Sequence, residues 1–201
     1  MKLVILTGFL GSGKTTLLLK LVKELVSGRD SNLVVLENEV GEVGIDGAYL
    51  EARGLNVREL YSGCVCCQLA GSLVTTLKEL KEAIDPECVF LETSGLARLD
   101  NILDVIRKYC DVVSVEEILM ISLFDIDRSG ILLESSIPVV INQIQMADIV
   151  ALNKVDLSET REIEAATAEL KKINADAEII PMSAFEGENL APILDRLREW
   201  I

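Results

Sequence analysis

Short apolar runs, broken only by Ser122, recur along the chain at residues 3–6, 33–36, 88–91, 118–124 and 149–152. Each is brief and rich in β-branched side chains, the pattern of a strand buried on both faces. Between the runs the apolar positions change period. Leu69, Leu73, Leu77, Leu80 and Ile84 fall on one helical face, and so do Leu99, Ile102, Leu103, Ile106 and Cys110. Ile163, Ala166, Leu170 and Ile173 form a further stripe, followed by Leu190, Ile193, Leu194 and Leu197. Strand and helix alternate throughout. That order predicts an α/β fold, a mostly parallel central sheet with helices on both faces and ligands at the carboxyl ends of the strands. Residues 37–56 carry few periodic apolar positions and several glycines, and read as a long functional loop.

Composition narrows the class. Half of the 201 residues are hydrophobic and four are proline, which suits one domain with a sizeable core and excludes disorder or a disulfide-stapled miniature. Lys and Arg number 19 against 33 Asp and Glu, a net charge of −14. An extended nucleic-acid footprint or an anchor on an acidic membrane is therefore not expected, and any bound anion must be held locally. Histidine is absent, so carboxylates, thiols and backbone amides must supply the chemistry. Five cysteines, three of them crowded at Cys64, Cys66 and Cys67, form no spaced secretory framework. The apolar start is broken by Thr7 and Gly8, so it reads as structure and not as a signal peptide. No apolar run approaches the ~18 residues of a membrane span. The expected location is the cytoplasm.

Directly after the first strand comes Gly8-Phe9-Leu10-Gly11-Ser12-Gly13-Lys14-Thr15, opening into a leucine-rich helix. This is the phosphate-loop pattern and makes the expected fold a P-loop NTPase. The glycines let successive amides turn inward on phosphate oxygens, Lys14 reaches the β and γ phosphates, and the Thr15 hydroxyl is placed for Mg²⁺. Gly8, Gly11, Ser12, Gly13, Lys14, Thr15 and Thr16 are the expected phosphate-binding set.

Asn153-Lys154-Val155-Asp156 ends another apolar run, where such a sheet meets the base. The Asp156 carboxylate can accept the ring N–H and the exocyclic amine of guanine, a pair that adenine does not offer. Asn153 would support the loop and the base edge, with the stem of Lys154 along the base plane. Ser183-Ala184, after the strand-like stretch 178–182, would offer a backbone amide to the guanine carbonyl. An Asn and an Asp after a strand are otherwise ordinary turn residues. Glu92-Thr93-Ser94-Gly95 ends a third run: Glu92 would hold Mg²⁺ through water and the Gly95 amide would sense the γ phosphate. Leu96 follows Gly95 where a water-positioning glutamine would stand, so slow intrinsic hydrolysis is expected.

Two segments remain. Glu37-Asn38-Glu39-Val40-Gly41-Glu42-Val43-Gly44-Ile45-Asp46 follows the second run, and Gly63-Cys64-Val65-Cys66-Cys67 follows the short segment 57–61. Cys64 and Cys67 have Cys-x-x-Cys spacing with Cys66 between them, a thiolate set suited to zinc or cuprous copper, with cobalt or nickel also open. Three sulfurs leave a tetrahedral ion one ligand short, and Glu37 or Glu39 is the candidate fourth. A disulfide exchanger and inert packing are the competing readings of these thiols. Cys88 and Cys110, on apolar positions, read as core, and Trp200 as a core plug.

Taken with GFLGSGKTT, ETSGLA and NKVD, the ENEVGEVGID and CVCC segments resemble the CobW-like branch of the metallochaperone GTPases, relatives of the hydrogenase and urease nickel-insertion GTPases. The resemblance spans essentially the whole chain, read as one GTPase domain over 1–201. It implies a GTP-dependent metal chaperone or metal-insertion protein, using GTP/GDP, Mg²⁺ and a transition metal, zinc first. The cysteine motif would be the metal centre and the ENEVG segment a switch beside the nucleotide. It further implies a client metalloprotein or metal-cofactor enzyme and a nucleotide-dependent homodimer. Members usually carry a carboxy-terminal domain, often histidine-rich, expected to be absent here, and a proline soon after ETSGLA, where this chain has Arg98-Leu99-Asp100. A GTP-switched regulatory binding module with a structural metal is the alternative.

Overall fold

The computed structural model describes residues 1–27, 32–37, 56–59, 69–134 and 137–201. Seven strands make one sheet: β1 (Lys2–Gly8), β2 (Leu33–Glu37), β3 (Asn56–Glu59), β4 (Cys88–Glu92), β5 (Glu117–Asp125), β6 (Ile149–Asn153) and β7 (Glu178–Pro181). Their order is β3-β2-β4-β1-β5-β6-β7, and every pairing is parallel. From β1 the chain crosses to the β2 side, and after β4 it crosses back over β1 to β5. The central strand is thus a topological switch point, the place in such sheets where a crevice opens at the carboxyl edge.

The continuous apolar runs follow from burial on both faces. Val4 and Leu6 of β1 join Leu17, Leu18 and Leu21 of α1 (Lys14–Val26) and Ile193 and Leu197 of α6 (Ala191–Trp200). Leu3 and Ile5 of the same strand face the other way. They join Leu77 and Leu80 of α2 (Leu69–Ala83) and Leu103 and Ile106 of α3 (Leu99–Lys108). A third cluster sets Phe124, Val150 and Leu152 against Val140 and Ile144 of α4 (Pro138–Gln145) and Ala166 and Leu170 of α5 (Thr160–Ile173). The charged face of α5 is exposed, as its sequence reads.

Three expectations are refined. The stripe drawn from Leu99 to Cys110 is not one helix: α3 ends at Lys108, Tyr109 turns, and Cys110–Val113 begins a separate short turn of helix. The Cys110 side chain lies outside the described residues. Helix α4 carries no clear signal in the sequence, because it is short and three adjacent apolar residues followed by amides give no helical period, although Pro138 sits where a first-turn proline belongs. The loop assigned to 37–56 is bounded by the end of β2 and the start of β3, and residues 38–55 lie outside the described residues.

Cys88 is fully buried in β4, and desolvation pushes its thiol up to about 12, as befits a core residue. Trp200 is half-buried against the first cluster, with the Lys2 ammonium 5.2 Å above its ring. Phe90 is fully buried in the central layer of that cluster. Phe90→Ala is expected to lower unfolding free energy by roughly 3–5 kcal/mol; denaturant titration should move the midpoint without changing the slope.

Candidate nucleotide-binding site

Strand β1 ends at Gly8 and α1 begins at Lys14, so five residues must reverse the chain over the sheet edge. Two glycines make this possible. A Cβ on Gly8 would stand 2.4 Å from the Leu123 carbonyl oxygen, and one on Gly13 would stand 2.4 Å from Asn153 Nδ2. Gly13 also has φ +97°, in the left-handed region. The α1 N-terminus that follows has neither a side-chain cap nor an acidic residue in its first turn. Its positive dipole end therefore has no carboxylate of its own first turn beside it, which suits an anion.

Lys14 is buried, with Nζ 3.1 Å from the Gly8 carbonyl oxygen and 3.4 Å from that of Phe9. The ammonium is therefore held over the loop by the backbone it curls around. Ser12 Oγ is buried in the loop and finds no hydrogen-bond partner among the described residues. Thr16 is half-buried in the first turn of α1.

Thr15 Oγ1 donates to Glu92 Oε1 across 2.7 Å, and Glu92 is only 3% exposed at the end of β4. A hydroxyl and a carboxylate in contact beside a phosphate loop are a donor set that fits a hard cation such as Mg²⁺. The turn after Glu92 packs directly on the phosphate loop: a Cβ on Gly95 would lie 2.7 Å from the Leu10 nitrogen. Helix α4 holds that turn. Gln143, buried, donates Nε2 to the Ala97 carbonyl at 3.0 Å and to that of Gly95 at 3.4 Å. Asn142 Oδ1 accepts from the Leu99 amide at 2.9 Å.

The base end is built around Asn153, 2% exposed. Its Nδ2 donates to the Ser12 carbonyl at 2.6 Å and its Oδ1 accepts from the Ala184 amide at 2.8 Å. One side chain thus ties the phosphate loop to the Ser183-Ala184 loop. Within that loop the Ala184 N–H donates to Asn153 and the Ser183 N–H to Glu188 O at 3.1 Å. Lys154 is left-handed at φ +68°, and its Nζ reaches Asp125 Oδ2 at 2.6 Å. Asp156 is exposed on the short turn Val155–Leu157.

Asp125, Arg128 and Gln143 are therefore site residues that the sequence reading missed. The metal set stands differently. Cys64, Cys66, Cys67 and Glu39 lie outside the described residues. Glu37 ends β2 as register neighbour of Glu92 on one side and Glu59 on the other. Among the described residues no group of three His, Cys, Asp or Glu is placed to hold a metal ion.

The nucleotide-binding domain of the CobW/HypB/UreG family matches residues 2–181. The chain belongs to that family. The zinc chaperone YjiA of Escherichia coli K12 is 29% identical over 182 residues, covering 87% of this chain and 55% of YjiA. The zinc-regulated GTPase metalloprotein activator 1 of Schizosaccharomyces pombe is 30% identical over 210 residues, covering 95% of this chain and 48% of the relative. The chain thus spans about half the length of these curated relatives.

Two solved structures carry the same fold. The hydrogenase maturation factor HypB of Archaeoglobus fulgidus has TM-score 0.75 at 20% identity, covering 99% of this chain and 89% of its own. The Zn(II)-bound YjiA GTPase has TM-score 0.66 at 25% identity, covering 90% of this chain and 57% of its own. No helix among the described residues of this CobW/HypB/UreG domain is long and apolar enough to cross a membrane.

Replacing Asn153 with alanine strands a buried carbonyl and a buried amide at once. Asn153→Ala is expected to cost on the order of 1–3 kcal/mol per orphaned group. Thermal unfolding should report the loss, and calorimetric titration should show weakened binding of GTP and GDP alike.

Proposed function

We propose that the chain is a Mg²⁺-dependent, GTP-binding and GTP-hydrolysing metallochaperone or metal-insertion protein. Its GTP state would be coupled to a thiolate site at Cys64, Cys66 and Cys67. The observation that carries this reading is convergence: one sheet edge gathers the phosphate loop, the Thr15–Glu92 pair, the Asn153–Asp156 turn and, beside Glu92, the end of β2. Family membership and the names of the zinc chaperone and zinc-regulated GTPase relatives support it.

The chain's own residues divide the work. Amides of the loop at Gly11, Ser12 and Gly13 and the open α1 N-terminus take phosphate oxygens, and Lys14 exchanges loop carbonyls for the β and γ phosphates. Thr15 and Glu92 would hold Mg²⁺, which supplies positive charge to the β and γ oxygens. The Gly95 amide, on a turn pinned by Gln143, is the sensor of the γ phosphate. Asp156 accepts two donors of guanine, and mismatched pairing at such a site discriminates by factors of about 10⁴ or more. Leu96, 54% exposed, orients no water. Intrinsic turnover is accordingly slow until an activator contributes.

The transferred metal is cargo, with zinc preferred over cobalt or nickel by the thiolate set and by the relatives' names. Cys64 follows Glu59 by five positions, a tether of about 18 Å at most when extended. Glu59 is in turn the register neighbour of Glu37, itself beside Glu92. Cys67 follows Glu59 by eight positions, about 29 Å at most, so the tether supports a thiolate site on the side of the nucleotide edge, where Glu37 or Glu39 would complete the ligand shell in one nucleotide state. A client metalloprotein and a nucleotide-dependent homodimer are the partners this reading implies.

Three variants test it. Asp156→Asn is expected to shift preference from GTP towards xanthosine triphosphate, read by competition against a fluorescent nucleotide; unchanged GTP binding would sink the guanine assignment. Cys66→Ala with Cys67→Ala should remove tight metal binding and its thiolate charge-transfer absorption while sparing GTP affinity. Glu37→Ala should shrink the difference in metal affinity between GTP and GDP forms. Couplings of this kind are typically ~1–3 kcal/mol, or about 5- to 150-fold. Equal metal affinity in the GTP and GDP forms of the parent would favour the regulatory-module alternative.

A further inference from the structure

Asp125 ends β5 beside Asn153, its register partner on β6, and is 2% exposed. None of the recognised motifs calls for a buried carboxylate there. Its contacts do. Oδ2 accepts from Lys154 Nζ at 2.6 Å and lies 3.6 Å from Arg128 Nε; Oδ1 accepts from the Asp127 amide at 3.1 Å. Arg128 continues the chain of contacts, because its Nη1 donates to the Leu10 carbonyl at 3.2 Å. Its two terminal nitrogens lie 3.6 and 3.7 Å from where a Cβ on Gly11 would stand. The guanidinium therefore caps the outer bend of the phosphate loop, while its other end is steered by the carboxylate that anchors Lys154.

We propose that Asp125 and Arg128 are positioning residues that bind the base-reading turn and the phosphate loop into one recognition unit. Arg128 fixes the loop at Leu10 and Gly11. The inference rests on the nucleotide reading above and extends it to residues outside the recognised motifs. The physical argument is geometric. Arg is planar with several donors in a fixed fork, so one side chain can hold a carboxylate and a carbonyl at once, which a lysine point charge does poorly. The carboxylate is buried between two cations, so removing its charge releases both loops together. Asp125 and Arg128 should consequently act as a unit and not additively.

The test measures dissociation constants of GTP, GDP and guanosine, by competition against a fluorescent GDP, for the parent, Arg128→Ala, Arg128→Lys, Asp125→Asn and the double variant, with ATP measured on the parent as well. Arg128 is half-exposed, so its replacement leaves the core intact, and thermal unfolding without nucleotide should stay at the parent value. Arg128→Ala is expected to weaken GTP and GDP by about tenfold, the scale of one hydrogen bond to a charged group. Guanosine should change less than about twofold, because it has no phosphate for the loop to hold. Arg128→Lys should recover only part of the loss. Asp125→Asn should weaken all three ligands, and the double variant should be less impaired than the product of the two single effects. An Arg128→Ala protein that binds GTP within about twofold of the parent overturns the proposal. Equal losses for GTP and guanosine also overturn it, since that pattern means a general structural role. If the parent itself shows no preference for GTP over ATP, the guanine reading fails and the base-to-phosphate link falls with it. A parent with normal GTP preference beside an unaffected Arg128→Ala overturns the link alone.

Discussion

A parallel sheet covered on both faces leaves no interior place for polar chemistry except the ends of its strands, and this constraint organises the rest of the molecule. β1 is apolar on both sides because Val4 and Leu6 pack one way and Leu3 and Ile5 the other. The register then decides which residues arrive together at the edge. Leu6 pairs with Glu92, Gly8 with Leu123, Asp125 with Asn153 and Glu37 with Glu92. A slip of one residue in any strand would exchange the side chains facing the two helix layers and part these edge residues, so side-chain packing fixes the register and the register fixes the site.

At that edge, short polar contacts join parts of the chain that are remote in sequence. Thr15 meets Glu92, Asn153 meets Ser12 and Ala184, Arg128 meets Leu10, and Gln143 meets Ala97. Most of these groups are buried, where an unmade hydrogen bond is expensive. Each loop is consequently held by its neighbours more than by its own sequence. The phosphate loop is gripped from three sides, by Gly95 packing on Leu10, by the amide of Asn153 and by the guanidinium of Arg128. Pre-ordering of this kind reduces what a nucleotide must spend on arranging its own site.

What the sequence discloses follows the same division. The five apolar runs all became strands, and the phosphate loop stands between strand and helix as its spacing demands, because both signals are local. Asp125, Arg128 and Gln143 carry no local signal. Arg128 reads as an ordinary turn residue until its carbonyl partner, 118 positions away, is beside it. Gln143 is one of three amide residues in an eight-residue helix too short to show a helical period. The contacts of the Ser183-Ala184 loop are hidden for a related reason: the motif suggests which loop approaches the base, whereas its tie to Asn153 appears only once the strands are assembled.

Charge supplies the last link between the two ends of the site. The protein carries a net charge of −14, yet Lys14, Lys154 and Arg128 converge on one edge, where each is held by a backbone carbonyl or by Asp125. Local geometry, and not overall charge, makes that edge able to take an anion. Beside it, Glu59, Glu37 and Glu92 occupy one register row on three adjacent strands, with backbones roughly 4.8 Å apart from strand to strand. The register thus brings the strand that leads into residues 38–55 and the strand that precedes the cysteine motif to the edge where Thr15 meets Glu92, so backbone pairing alone links these segments to the nucleotide site.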